Sequence, residues 1–282
     1  MSVWYCIPSA RPPEEAEACL SKWRDHGYKI ALFVDWNPPG APLDTRISRG
    51  DIMLMGGGRF APKFDPQTKI PYAPGTKTHP PNFNEYPGYA QATNALIAEV
   101  LARDPSCDWC VAGGDDIDPD ANHTADEIAA QCSEHFARIH TQNRGDWAAE
   151  DYRRLATWGV MQPTGDRFDG GSIDRICGSP WLGREFCRRV NQGRGPFWPE
   201  YTHMFSDEEL QNVAVKLGVL WQRPDLIHYH NHFQRVPGTD FGQRATTPPH
   251  LAEAYSPEHW RKYKALFEAR KATGFPGSEV IG

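Results

Sequence analysis

The opening of the chain constrains the fold most. Residues 3–8 are a short apolar run closed by a proline, which predicts a buried strand. Over 14–26, Ala16, Cys19, Leu20 and Trp23 recur at helical spacing, and Gly27 supplies a C-terminal stop. Residues 29–34 are again rich in β-formers and run straight into Asp35. Strand, helix and strand in this order make a βαβ unit. Parallel strands cannot be joined by a tight turn, so the helix crosses over the sheet. The expected class is α/β, with a sheet that begins parallel.

Residues 52–55 predict a third strand. The stretch 56–87 is crowded with Gly, Pro and Asn, and so long a structureless segment inside a compact domain is often functional. A helix over 88–103 would bury Ala92, Leu96 and Val100. A strand over 109–112 ends in Gly113-Gly114-Asp115-Asp116-Ile117-Asp118-Pro119. Thr124 and Glu127 form a capping box for a helix whose buried stripe is Ile128, Cys132, Phe136 and Ile139. Farther on, 155–161 and 172–177 read as strands and 180–190 as a short helix. A helix over 206–217 stops at Gly218, 226–233 reads as a strand, and 257–273 as a helix with Trp260, Tyr263, Leu266 and Phe267 on one face. No internal repeat or low-complexity block interrupts this order.

The 282 residues are 39% hydrophobic and 23% charged, with mean hydropathy −0.62, which is the balance of a soluble globular protein. No run reaches the roughly 20 apolar residues of a membrane helix. The N-terminus lacks the basic start of a signal peptide, so a cytoplasmic protein is expected. A net charge of −6 disfavours a bulk nucleic-acid binder but leaves room for a local basic groove. The cysteines number seven, an odd set. Cys107 and Cys110 form a lone CxxC with no second pair to complete a zinc site, so reduced thiols are expected, several of them in the core. The 10 tryptophans suit either a core or stacking platforms for sugars.

Four groups of residues carry chemistry. Asp115, Asp116 and Asp118 follow a predicted central strand, at the sheet edge where open α/β folds bind ligands. Such a cluster is tolerated when solvated and favoured when a divalent cation sits on it; oxygen ligands suit Mg²⁺ or Mn²⁺. An acidic turn before a helix would use the same residues. His228, His230 and His232 alternate along the 226–233 strand, so they are expected to share one face and to offer imidazole to a transition metal such as Mn²⁺. Ser206 and Glu209 have capping-box spacing, and Asp207 or Glu208 is a candidate general base at a helix N-terminus. Arg184 and Arg188 fall on one helix face near Arg189 and Arg194, where they either receive phosphates or form a solvated face.

Taken in order, these segments resemble the GT-A nucleotide-sugar glycosyltransferases, in particular the large family-two branch. The resemblance covers about residues 3–235. It implies a Rossmann-like mixed sheet flanked by helices, with a C-terminal acceptor-side lobe. The catalytic domain would span 1–235, its donor half about 1–120 and its acceptor half about 121–235, with 236–282 as a helical extension. Pro8, Ser9 and Arg11 look like the start of the nucleotide pocket, and Asp35 like the acid that meets base or ribose. The segment from Gly88 to Asn94 resembles the helix before the metal motif, with Asn94 on the donor side. Asp116-Ile117-Asp118 is similar to the DxD motif, and Asp207-Glu208 to the acidic pair that supplies the base in inverting members. His228 or His230 would be the C-terminal metal ligand.

The implied reaction moves a sugar from a nucleotide sugar, UDP-linked by preference, to an acceptor hydroxyl. It would use Mn²⁺ or Mg²⁺ on Asp118 and Asp116. The acceptor could be a glycan, a protein, a small molecule or a hydroxymethylated pyrimidine of viral DNA, in which case the compartment is the host cytoplasm. A non-catalytic nucleotide- or sugar-binding module and a nucleotidyltransferase are the readings from other classes. A P-loop enzyme is disfavoured by the lack of a glycine-rich loop with lysine.

Overall fold

The computed structural model describes residues 2–9, 11, 13–34, 52–55, 87–141, 149–167, 173–233, 235 and 251–281. Among them the chain runs β1 (Ser2–Ser9), α1 (Pro13–Asp25), β2 (Lys29–Val34), β3 (Ile52–Met55), α2 (Tyr89–Arg103), β4 (Cys107–Ala112), β5 (Ile117–Asp118) and α3 (Ala125–Thr141). It continues through α4 (Ala149–Ala156), β6 (Val160–Pro163), β7 (Trp181–Gly183), α5 (Arg184–Arg189), α6 (Ser206–Lys216), β8 (Leu220–Arg223), β9 (Tyr229–His230) and α7 (Pro257–Ala272). Seven strands make one sheet in the order β3-β2-β1-β4-β7-β6-β8, while β5 and β9 form a separate ladder.

β1 to β4 are parallel, with Trp4 opposite Lys29 and Ser9 opposite Val34 in the opening βαβ unit. β7 runs against both its neighbours, and β8 is parallel to β6. The fold is therefore a mixed α/β sheet flanked by helices.

The period of two in β1 divides two cores. Val3, Tyr5 and Ile7 face α1 and α3, while Trp4 and Cys6 face α2 and α6. In β4 the register slips between the partners of Ser2 and Val3, from Cys107 to Trp109. That one-residue bulge puts Cys107 and Cys110 on the same face, with their Sγ atoms 3.7 Å apart. All seven cysteines are free and buried. α7 packs Tyr263 and Phe267 into the core shared by α2 and α6.

Several expected elements differ. The 155–161 strand begins as the end of α4 and becomes β6 only at Val160. The described part of 172–177 holds no strand. The 180–190 helix opens as β7, three buried residues too short to show a period. The 226–233 strand shrinks to Tyr229–His230, and β8 was not foreseen in the sequence. The Thr124–Glu127 capping box does form, with Thr124 N and Oγ1 both donating to Glu127 Oε2. Asp35 and the glycine- and proline-rich stretch up to residue 86 lie outside the described residues.

Candidate functional site

Parallel strands end at one edge of a sheet, and here the ends of β1 and β4 bring Ser9, Arg11 and the aspartates together. Ser9 Oγ donates to Asp115 Oδ2 at 2.5 Å, Arg11 Nε donates to Asp115 Oδ1 at 2.9 Å, and Arg11 N donates to Ser9 Oγ at 3.2 Å. Lys22 of α1 reaches both oxygens of Asp118 at 2.9 and 2.8 Å. Asp116 Oδ1 lies 3.4 Å from His230 Nε2. Each acid thus meets its own basic partner, which relieves the repulsion inherent in the cluster. The two glycines before it make room for the protein itself. A Cβ on Gly113 would meet Tyr5 Oη at 2.6 Å, and one on Gly114 would meet Asp116 Oδ1 at 2.7 Å. Pro8 stays within β1 opposite Phe33, half-buried just inside this edge.

The β5–β9 ladder pairs Ile117 with His230 and Asp118 with Tyr229, and Asn231 N donates to the Asp116 carbonyl at 2.6 Å. Asp166, just past β6 at the same edge, accepts from His230 N at 2.8 Å and from Arg235 Nη2 at 2.7 Å. Burial alone would raise the Asp116 carboxyl. The hydrogen bond and charge of His230, with Arg11 and His232 farther off, hold it below the usual carboxylate range. The His232 ring lies 4.9 Å from that of His230.

His228 does not join them, against the expectation of a shared face. The strand is only two residues long, so its alternation does not extend to residue 228. The imidazole is buried edge-on to Trp23, with Nδ1 2.8 Å from Ser179 Oγ. Burial pushes it down to about 4, so it is a neutral core residue rather than a ligand beside Asp116.

Asp207 opens α6 behind Phe205, which is held at φ 69 in the left-handed region. A non-glycine residue there carries strain that is common beside functional groups. The Asp207 charge is felt at Tyr89, which begins α2 at the same sheet edge, and at Tyr255, which also feels Asp116. Asp207 Oδ1 accepts from Glu208 N at 3.0 Å. Glu208 feels Arg175 and the α7 residues Lys271 and Glu268, and burial with the Asp207 charge pushes its carboxyl up to about 7. The Ser206–Glu209 capping box is absent: Ser206 Oγ donates to the His203 carbonyl. Glu209 is instead buried, bound by Arg270 Nε at 2.8 Å and Nη2 at 2.7 Å and by Tyr201 Oη at 2.8 Å.

Three expected contacts go elsewhere. Arg184 donates to the carbonyls of Cys107, Leu101 and Asp104, at the end of α2 and the start of β4, so it lies at the edge opposite the aspartates. Arg188 pairs with Glu185 at 3.0 Å on the same short helix. Asn94 is buried and clasps one backbone unit, donating to Phe197 O at 2.7 Å and accepting from Phe197 N at 3.1 Å. Its amide is committed to the fold, not to a donor.

Lys22 and Asp166 were not singled out in the sequence. Asp166 follows a strand and a glycine as Asp115 does, and that was its signal. Lys22 sits on an exposed helix face and had none. Among the described residues, no group of three or more His, Cys, Asp and Glu side chains is arranged to hold a metal ion. Comparison of the chain with protein-family models, curated proteins and solved structures finds no match.

Proposed function

We propose that the chain is a metal-dependent glycosyltransferase of GT-A type. It would transfer a sugar from a nucleotide sugar, UDP-linked by preference, to an acceptor hydroxyl with inversion. The observation that carries this reading is the β5–β9 ladder, which sets Asp116 against His230 at the carboxyl edge of the sheet. One carboxylate and one imidazole suit Mn²⁺, which takes remaining ligands from water and substrate phosphates. Asp116 and His230 would hold the ion, while Asp118 is already engaged by Lys22. When bound, the ion supplies positive charge to the departing diphosphate.

The chain's own groups divide the other tasks. Arg11, fixed on Asp115 through Nε, has further N–H donors suited to a phosphate oxygen. Asp207 takes the proton of the acceptor hydroxyl as that oxygen attacks the anomeric carbon opposite the leaving diphosphate, through an oxocarbenium-like transition state. Glu208, whose carboxyl is pushed up by burial and by the Asp207 charge, is the alternative base beside it. A DNA acceptor would draw on a groove along 184–194, but Arg184 and Arg188 are held by carbonyls and by Glu185.

Product analysis tests the reading. With a UDP-sugar, Mn²⁺ and an acceptor mixture, the expected product is UDP. Release of pyrophosphate from a nucleoside triphosphate, with no UDP formed, would replace it with nucleotidyl transfer.

A further inference from the structure

The one exposed tryptophan among the described residues, Trp260, sits on α7 together with a set of unpaired cations. Arg261, Lys262, Lys264 and Lys271 are exposed, and among the described residues none of them meets an acid or a carbonyl. Most other described cations are held, as Arg153 is by Asp108 and Arg189 by the Ile281 carbonyl. Lacking acids, the lysines rest on rings: Lys264 Nζ lies 4.7 Å over Trp260, and Lys271 Nζ 5.5 Å over Phe267. Trp260, Lys264 and Lys271 follow at i, i+4 and i+11, so they line one flank of the helix over about 16 Å. That flank borders the head of α6, where Phe205 lies 5.7 Å from Trp260 between ring centroids. Stability asks for neither feature, since an exposed ring forgoes burial and unpaired cations repel one another.

We infer that this flank of α7 docks a single-stranded nucleic acid. Ammonium groups spread along a helix suit a chain of phosphates rather than one anion. Trp260 adds a flat face for an unpaired base, and the flexible Lys264 side chain moves from that face to a phosphate. Glu258 and Glu268 share the helix and are outnumbered by its exposed cations. Glu208 on α6 is pushed up to about 7 by burial and by the Asp207 charge, so it is only partly ionised at neutral pH. An acidic peptide would match the charge but leave Trp260 without a stacking partner. A bilayer would receive a single ring, because Tyr263 and Phe267 are turned into the core. The net charge of −6 confines such binding to this local surface. Neither a nucleotide sugar nor a metal takes part in the contact, so it stands independently of the transferase chemistry.

Fluorescence anisotropy of a labelled oligothymidylate, titrated with the full chain over a series of salt concentrations, tests this. The expected result is binding at low salt that is tighter than to a duplex of the same length, whose paired bases cannot reach Trp260. Lys264→Gln combined with Lys271→Gln should weaken it roughly tenfold or more and flatten the salt slope by about 1.4, since each phosphate contact of a single strand contributes about 0.7. Trp260→Ala should weaken it roughly fivefold or more with the slope unchanged, and Trp260→Phe should restore part of the loss. Arg138→Gln, which removes an exposed cation of α3, should change nothing. All these side chains are exposed, so the variants keep the fold, which melting curves check. No binding at low salt, a duplex bound as tightly as the single strand, or equal losses in Arg138→Gln and in the double lysine variant would overturn the assignment. So would stronger competition from polyglutamate or from phosphatidylserine vesicles than from unlabelled single strand.

Discussion

Adjacent aspartates repel one another, and Arg11, His230 and Lys22 each partner one of Asp115, Asp116 and Asp118. The division sets the acids apart, since among the described residues Asp116 is the one of the three paired with an imidazole. At the head of α6, Asp207→Asn removes the proposed base but keeps its size. Transfer should fall by about 10²–10⁴-fold while UDP binding persists, as turnover and nucleotide titration would report. Normal turnover in that variant would remove Asp207 from the mechanism.

Histidines make a second prediction at this scale. Burial pushes His203, His228 and His232 down to about 4 from an ordinary value near 6.5. Their neutral forms favour the fold, so this stability is present above pH about 6.5 and is lost as pH falls toward 4. Each contributes at most about 1.4 kcal/mol per pH unit in that window. Glu208, pushed up to about 7, acts in the opposite sense, because its stability is lost as pH rises through 7. Three imidazoles outweigh one half-buried carboxyl. The urea midpoint should therefore drop between pH 6.5 and 5, and a flat profile there would contradict the burial of these rings.

Among the elements, α7 is held to α6 by one buried pair, Arg270 on Glu209, and Arg270 also lies 3.5 Å over the Trp198 ring. Removing one partner leaves a buried charge. Arg270→Ala should cost about 3–5 kcal/mol in chemical denaturation, and a double replacement of both partners by apolar residues should cost much less. If the single variant loses under 1 kcal/mol, the pair does not anchor α7.

The helices α1, α3 and α6 were legible in the sequence because each carries a stop or cap signal, and α2 because Ala92, Leu96 and Val100 mark one face. β7 and β8 were not, because three or four residues carry too little pattern and their places are set by distant partners such as β4 and β6, while β9 was legible as a strand but not in its length. The same limit governs the site. Asp116 was legible because it follows a strand, whereas the choice of His230 over His228 depends on where a two-residue ladder begins. Asn94 and Arg184 have the residue types of ligand-binding groups, but backbone groups far away in the sequence claim them.

For the whole molecule, the mixed sheet brings the ends of β1, β4 and β6 to one edge. The parts of the proposed transferase meet there: Arg11, Asp116 with His230, Asp166 behind His230, and Asp207 at the head of α6. If that edge binds a nucleotide diphosphate through a divalent ion, binding stabilises the entire chain. At a ligand concentration about 100 times Kd the gain is about 2.7 kcal/mol, which is several degrees for a chain of this size. The most direct measurement is the melting temperature with UDP in Mn²⁺ and in EDTA, for the wild type and for Asp116→Asn. The account predicts a rise of several degrees in the wild type with Mn²⁺, lost in EDTA and lost in Asp116→Asn. No rise with UDP, or an undiminished rise in Asp116→Asn, would contradict it.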